Sequence, residues 1–404
     1  MSYADSVRFL DRNTPPHVLT LILMAALPAL TMTIFLPSLP GMTAWFDTDY
    51  RLMQLSVAVY LGVNALLQIV IGPLSDKYGR RPVVLTGVAL FCLATLGCLI
   101  APDVWTFLFF RMCQAFAIVA MVLSRAIVRD CVGTDQAASM IGYVTMGMAV
   151  VPMIGPATGG SLDAVFGWQA SFWLLFAMGA ALLWLCWMDQ GETARGSDLS
   201  VFQQFREYPE LFRAPRFWGY ALAAAFSSGA FFSYLGGAPY VGSEVFGLDP
   251  ATLGIFFGAP AVGYFCGNFA SGRFSARVGV NRMVLTGSVI VTVGMALAIV
   301  VMGAGYQTPY VFFGFMSFVG LGNGMVIPNA TAGMLSVRPH LAGTASGLGG
   351  ALMIGGGAAM SAYAGVILQP GTGALPLLWL MLVTAALGIC SIGFVIWRER
   401  QIQR

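Results

Sequence analysis

The sequence predicts an all-α polytopic membrane protein, with twelve transmembrane helices in two pseudo-symmetric six-helix bundles. Three observations carry that prediction. Of 404 residues, 58% are hydrophobic and only 9% are charged. A soluble domain is about one quarter charged, so most of this surface must face lipid. The apolar residues gather into twelve runs, each near the ~20 residues that a spanning helix needs. Finally, a basic turn occurs twice. Gly72-Pro73-Leu74-Ser75-Asp76-Lys77-Tyr78-Gly79-Arg80-Arg81 is echoed 200 residues later by Gly272-Arg273-Phe274-Ser275-Ala276-Arg277-Val278-Gly279-Val280-Asn281. Both copies continue into Val-Leu-Thr-Gly, at Val84 to Gly87 and Val284 to Gly287.

The runs in the first half cover 17–36, 51–71, 82–101, 104–127, 137–160 and 168–188. Those in the second cover 216–238, 251–272, 283–303, 309–330, 341–366 and 374–397. Membrane β-strands would instead alternate apolar and polar residues in ~10-residue pieces. The bundles are therefore expected at 1–188 and 216–404, joined by a polar linker at 189–215. Within the linker, Leu199, Phe202, Phe205, Leu211 and Phe212 suggest a short amphipathic helix on the membrane surface. No small-residue cleavage site precedes the first run, so the first helix is expected to stay.

Charge sets the expected orientation. With the N-terminus inside and the runs alternating, 18 of the 20 Lys and Arg residues fall inside. Arg51 falls outside and Arg111 within the membrane, while Asp47, Asp49, Asp103, Asp163, Glu244 and Asp249 mark the outside. This is the positive-inside pattern, and it places both termini in the cytoplasm. The net charge of +3 and the absence of a basic patch give no reason to expect nucleic acid. The seven cysteines form no CxxC pair and read as small apolar fillers. A membrane enzyme would need a nucleophile with its base, or metal ligands, at one depth. The two histidines, His17 and His340, both sit at helix ends, so no enzyme and no metal site is expected.

Several positions invite a functional reading. Arg111 lies some eight residues into the fourth run, and an intramembrane charge is costly unless it faces a cavity or a partner. Asp76 at a helix end needs a partner, for which Arg125, Arg129 or a helix N-terminus would serve. Gly155-Pro156-Ala157-Thr158-Gly159-Gly160 allows the fifth helix to bend and to approach a neighbour closely.

These residues resemble signature elements of the major facilitator superfamily. Gly72, Leu74, Asp76, Gly79, Arg80 and Arg81 match its loop between helices two and three. Gly142 with Gly155-Pro156 and Gly159-Gly160 is similar to its antiporter motif, although Val151 stands where that motif has Asn. Arg111 with Gln114 and Ala115 resembles its helix-four motif. A finer resemblance, to the bicyclomycin/chloramphenicol resistance (Bcr/CflA) branch of drug:proton antiporters, rests on four pieces. They are Leu36-Pro37-Ser38-Leu39-Pro40, Arg125 to Asp130, Pro328 to Gly333 and Ala342 to Ser346.

The resemblance implies alternating access around a midplane cavity and export of a small organic molecule across a bacterial inner membrane. The transporter would work as a monomer with no cofactor, driven by exchange for protons. It implies substrate contacts at Thr31, Tyr60, Asn64, Arg111, Gln114, Met146, Tyr234 and Asn329. Gating and coupling would fall to Gly72, Asp76, Gly79, Arg80, Arg111, Arg125, Arg129, Gly155 and Pro156. Two departures matter. Thr33 stands where the branch often carries an acid in helix one, and Ala276 replaces the turn's aspartate in the second copy. An uncoupled facilitator, an importer of the same fold, or an exporter dedicated to one metabolite such as a siderophore therefore stay open.

Overall fold

A computed structural model describes residues 7–131, 151, 154–193, 208–338 and 342–402, and every regular element among them is helical. Helix α1 (Val18–Thr33) carries Pro28 within it and continues through a 3-10 turn (Leu36–Ser38) into a short helix, Leu39–Trp45. Next come α2 (Tyr50–Tyr78) and α3 (Arg80–Leu99). Helix α4 runs as Val104–Cys113, a 3-10 turn (Gln114–Ala117) and Ile118–Cys131. Helix α5 is described over 154–166, and α6 spans Gln169–Asp189.

The second half holds α7 (Pro215–Tyr240), which ends in a π-turn (Val241–Val245). A short helix (Pro250–Phe256) leads into α8 (Ala259–Val278). Then follow α9 (Val280–Gly303), α10 (Pro309–Val337), α11 (Ala342–Ile367) and α12 (Leu375–Ile402). Eleven of the described helical segments are long and apolar enough to span a membrane. The fifth predicted span falls mostly on residues outside the described set, as do Gly142, Met146 and His340. Of the linker, Tyr208–Phe212 is helical, and Leu199, Phe202 and Phe205 lie outside the described residues.

The sequence explains where helices start. Asp103 caps α4 by accepting from Trp105 N, Thr106 N and Thr106 Oγ1, at 2.9, 3.0 and 2.7 Å. Asp249 repeats the arrangement with Ala251 N, Thr252 N and Thr252 Oγ1. The amide and hydroxyl of Thr106 hold the Asp103 carboxyl below the usual carboxylate range, and those of Thr252 do the same for Asp249. The basic turn has the same backbone in both copies. Gly79 sits at φ 95°, ψ 151° and Gly279 at φ 91°, ψ 149°, a region open to glycine and strained for other residues.

Each half builds its own core. In the first, α1 packs on α4 and α6, and α3 on α6, around Phe35, Phe107, Trp168 and Phe172 with rings mostly edge to face. In the second, α10 packs on α8 and α9, and α7 on α11 and α12. Phe256, Phe257, Phe312 and Phe313 form its aromatic cluster. Between the halves the dominant contact is α2 along α11.

Candidate functional site

Arg111 is buried, 1% exposed, where α4 gives way to its 3-10 turn. Its guanidinium lies between the rings of Phe35 and Tyr60, each centroid 4.2 Å away. Nε donates to the Ser56 carbonyl at 3.2 Å, and the two terminal nitrogens donate to Thr31 O at 2.9 Å and Gln114 Oε1 at 2.7 Å. Gln114 Nε2 donates in turn to Thr95 Oγ1 at 2.8 Å. The charge thus meets three neutral acceptors and two π faces and, among the described residues, no carboxylate. Thr33, where an acid was anticipated, donates its hydroxyl to Ala29 O and packs against Gly155 of α5.

The expected site residues are brought together only in part. Thr31, Tyr60, Arg111 and Gln114 form one cluster. Asn64 lies one turn along α2 and approaches the Tyr60 hydroxyl, although that hydroxyl completes no hydrogen bond. Tyr234 stands apart, among Phe231, Phe257 and Phe313, with its hydroxyl unpartnered. Asn329 ties helices together instead of facing open space: its Nδ2 donates to Ser271 Oγ on α8 and to Met325 O, both at 2.8 Å.

A feature missed in the sequence emerges on α2. Ser56 Oγ, Tyr60 OH, Asn64 Oδ1 and Gln68 Nε2 are all buried without a hydrogen-bond partner among the described residues. They recur every four residues, and such a stripe advances about 40° per step around the helix. It begins at Ser56, whose carbonyl accepts from Arg111, and ends at Gln68 beside Gly350 of α11. A polar path therefore winds from the arginine to the seam between the halves.

Towards the acidic face the seam is clamped. Tyr50 OH donates to Gly236 O at 2.8 Å, and its ring meets that of Tyr240 at 5.1 Å. Gln54 Nε2 donates to Ser361 Oγ at 2.8 Å and to the Ser361 carbonyl. The Gly-Pro element of α5 completes the clamp, because Pro156 O lies against Gly254 and Gly160 against Pro250 O. A Cβ at Gly236 would meet Gln54 Nε2 and Ser361 Oγ at 2.5 Å. Overpacking of this kind costs about 1–3 kcal/mol, so Gly236→Ala should part the halves here. We expect spin labels at Thr48 and Ser243 to report a longer distance in that variant. Gln54 is a lone amide in an apolar run, and its partner Ser361 is a small residue on α11.

At the basic face the expectation for Asp76 is corrected. Its partner is Arg80, at 2.6 Å, and not Arg125. The side chain of Arg129 lies outside the described residues. Arg80 Nε also pairs with Asp130 at 3.1 Å, and Arg80 donates to Ser75 Oγ. The reason is the turn itself: the left-handed Gly79 brings Arg80 back over the end of α2. Glu192 completes the cluster by accepting from the backbone N–H groups of Arg80 and Arg81, at 2.8 and 3.2 Å. These partners belong to the first half, apart from Glu192, which the start of the linker supplies. In the second half, Glu399 binds Arg216, Tyr220 and Asn281.

Asp189 also went unnoticed in the sequence, as the first residue of the polar linker. It is fully buried and accepts from Leu10 N and His17 N at 2.8 Å and from Thr20 Oγ1 at 2.6 Å. It anchors the N-terminal arm across the base of α6. Asp189→Asn should cost about 1–3 kcal/mol, read as a lower thermal midpoint and faster proteolysis before Val18.

The comparisons with known proteins agree with this architecture. Residues 21–362 match the family model described as Major Facilitator Superfamily. An uncharacterized MFS-type transporter of Bacillus subtilis (strain 168) is 29% identical over 385 residues, covering 94% of both chains. A bicyclomycin resistance protein homolog of Haemophilus influenzae is 28% identical over 356 residues, covering 87% of this chain and 89% of its own. The solved structure of a bacterial homolog to the human lysosomal transporter Spinster, inward-facing and occupied, superposes with a TM-score of 0.71. It is 18% identical and covers 95% of this chain and 96% of its own, a likeness of fold. Two related helical halves, the first built around a buried arginine, matched by a family model along most of the chain, make this protein a member of the major facilitator superfamily of membrane transporters.

Proposed function

We propose that this transporter exports small amphipathic organic solutes, neutral or anionic, from the cytoplasm across a bacterial inner membrane in exchange for protons. The observation that carries the reading is the polar path from Arg111 along α2 to the seam. An unpaired buried polar atom costs about 1–3 kcal/mol. Four on one helix are most economically explained by another state, in which the halves part and solute or water pairs them. A buried cation among aromatic rings, with no carboxylate in contact among the described residues, favours neutral or anionic ligands over cationic ones at that place. The basic face is read as cytoplasmic from the charge bias. The clamp on the opposite face then corresponds to an arrangement closed to the outside. The bicyclomycin-resistance relative supports export. The protein would act as a monomer and need no cofactor.

A second reading, an uncoupled facilitator, has one observation in its favour: Thr33 is neutral where a coupling acid would sit. Proteoliposomes separate the two. With bicyclomycin and a panel of anionic and neutral dyes, antiport predicts transport that follows an imposed pH gradient. Saturable transport indifferent to the gradient would leave the facilitator.

A further inference from the structure

At the basic face of the first half, the N-terminal arm (residues 7–17) folds back onto the end of α6. Asp189 fixes the arm through Leu10 N, His17 N and Thr20 Oγ1, and Gly191 packs directly against Arg12 O. Between arm and helix lies a cavity of about 340 Å³, lined by Leu10, Asp11, Arg12, Asn13, Trp187 and Met188. That volume is within the range that holds small polar groups. It is separate from the polar path of α2.

The charges at this corner leave a positive surplus. Asp11 is engaged by Asn13, whose backbone N–H and Nδ2 donate to its Oδ1 at 3.1 and 3.0 Å. Arg81, at the start of α3, holds its guanidinium 5.0 Å from the centroid of the Trp187 ring and donates to Trp187 O at 3.1 Å. Its Nε is buried and has no hydrogen-bond partner among the described residues. Neither Arg12 nor Arg81 forms an ion pair among those residues. Gln190 is an independent pointer to the same corner. It is fully buried two residues after Met188, and neither Nε2 nor Oε1 has a hydrogen-bond partner among the described residues. Unpaired buried polar atoms are costly, and here an amide and a guanidinium nitrogen carry that cost side by side with a cavity.

The lip of the corner is apolar. Phe9, Trp184 and Trp187 are each about half exposed. Trp184 and Trp187 stand three residues apart and share a face of α6. Tryptophan rings favour the level where hydrocarbon meets headgroups. Guanidinium groups match the oxygen geometry of phosphate, and basic pockets at a membrane surface recognise anionic lipids. We infer that this corner binds the phosphate headgroup of an anionic phospholipid from the leaflet that meets the basic face. Arg12 and Arg81 hold the phosphate, and the acyl chains run along Trp184 and Trp187. The bound lipid would join the arm, α3 and α6. The inference does not depend on the solute carried, nor on proton exchange.

The test uses the full-length protein in detergent, titrated with dioctanoyl phosphatidylglycerol, with phosphatidylcholine of the same chains, and with inorganic phosphate. Native mass spectrometry reads bound lipid directly, so a modest change of stability in a variant does not obscure the result. The thermal midpoint is the second readout. Phosphatidylglycerol should bind saturably and raise the midpoint, and the other two should do neither. Arg12→Gln and Arg81→Gln should each weaken binding about fivefold, the share of one basic residue at an anionic surface. Arg277→Ala removes an exposed charge from the matching turn of the second half and should leave binding unchanged. Equal binding of phosphatidylcholine, an equal shift with phosphate alone, wild-type affinity in both arginine variants, or an equal loss in Arg277→Ala would each overturn the inference.

Discussion

Replacing Arg111 with alanine is expected to abolish transport while membrane insertion and yield stay near normal. The guanidinium donates to Thr31 O, Ser56 O and Gln114 Oε1. Hydrogen bonds from a charged donor contribute about 1.5–3 kcal/mol each. If a solute takes over even two of them, their loss amounts to at least about a hundredfold in rate, at 1.4 kcal/mol per tenfold. The fold should survive, because the two carbonyls belong to helices and the cavity left between Phe35 and Tyr60 is lined by apolar rings. Arg111→Lys is a sharper form of the test. It retains the charge and loses the planar fork that satisfies several acceptors at once, so it should recover little. Transport at wild-type rates in the alanine variant would remove Arg111 from the mechanism.

Arg80→Ala should have the second largest effect, on stability first and transport second. Arg80 neutralises Asp76 and Asp130 together, and its side chain is only 10% exposed. Removing it leaves two half-buried carboxylates facing each other without a cation. Breaking such a pair costs about 3–5 kcal/mol when fully buried, and somewhat less here, where water reaches the acids. Helices α2, α3 and α4 meet at this cluster, so the whole basic end of the first half should loosen. The measurement is the thermal midpoint of detergent-purified protein. Lys77→Ala is the control, since it removes a positive charge from the same turn, where Lys77 lies over the ring of Tyr78 and forms no ion pair among the described residues. Equal effects of the two substitutions would show that bulk charge matters, and not the cluster.

Much of the architecture was legible because lipid imposes long apolar runs and a one-sided distribution of Arg and Lys. The duplicated turn was legible because glycine spacing is local. Arg111 stood out for the same reason, as one charge in an apolar run. What escaped was relational. The position of Asp76 suggested a distant arginine, whereas the backbone at Gly79 returns the near one. Asp189 looked like the first residue of a polar linker, and its three donors lie some 170 to 180 residues earlier. Tyr234 and Asn329 had the right chemistry for ligand contact, but packing on α8 and on the aromatic cluster claimed them first. The stripe from Ser56 to Gln68 was present as a four-residue spacing. Its significance came from the absence of partners, which no spacing reveals.

The twin glycines of the basic turns differ in one respect. A Cβ at Gly279 would meet nothing within 4 Å, whereas at Gly79 it would collide with the Glu192 carboxylate. The duplication has therefore left two identical backbone bends in one polypeptide, one empty and one filled. Any side chain at Gly279 bears the torsional cost alone, and at Gly79 it also evicts a glutamate. The difference between the two positions separates the cost of displacing Glu192 from the torsional cost of the bend itself.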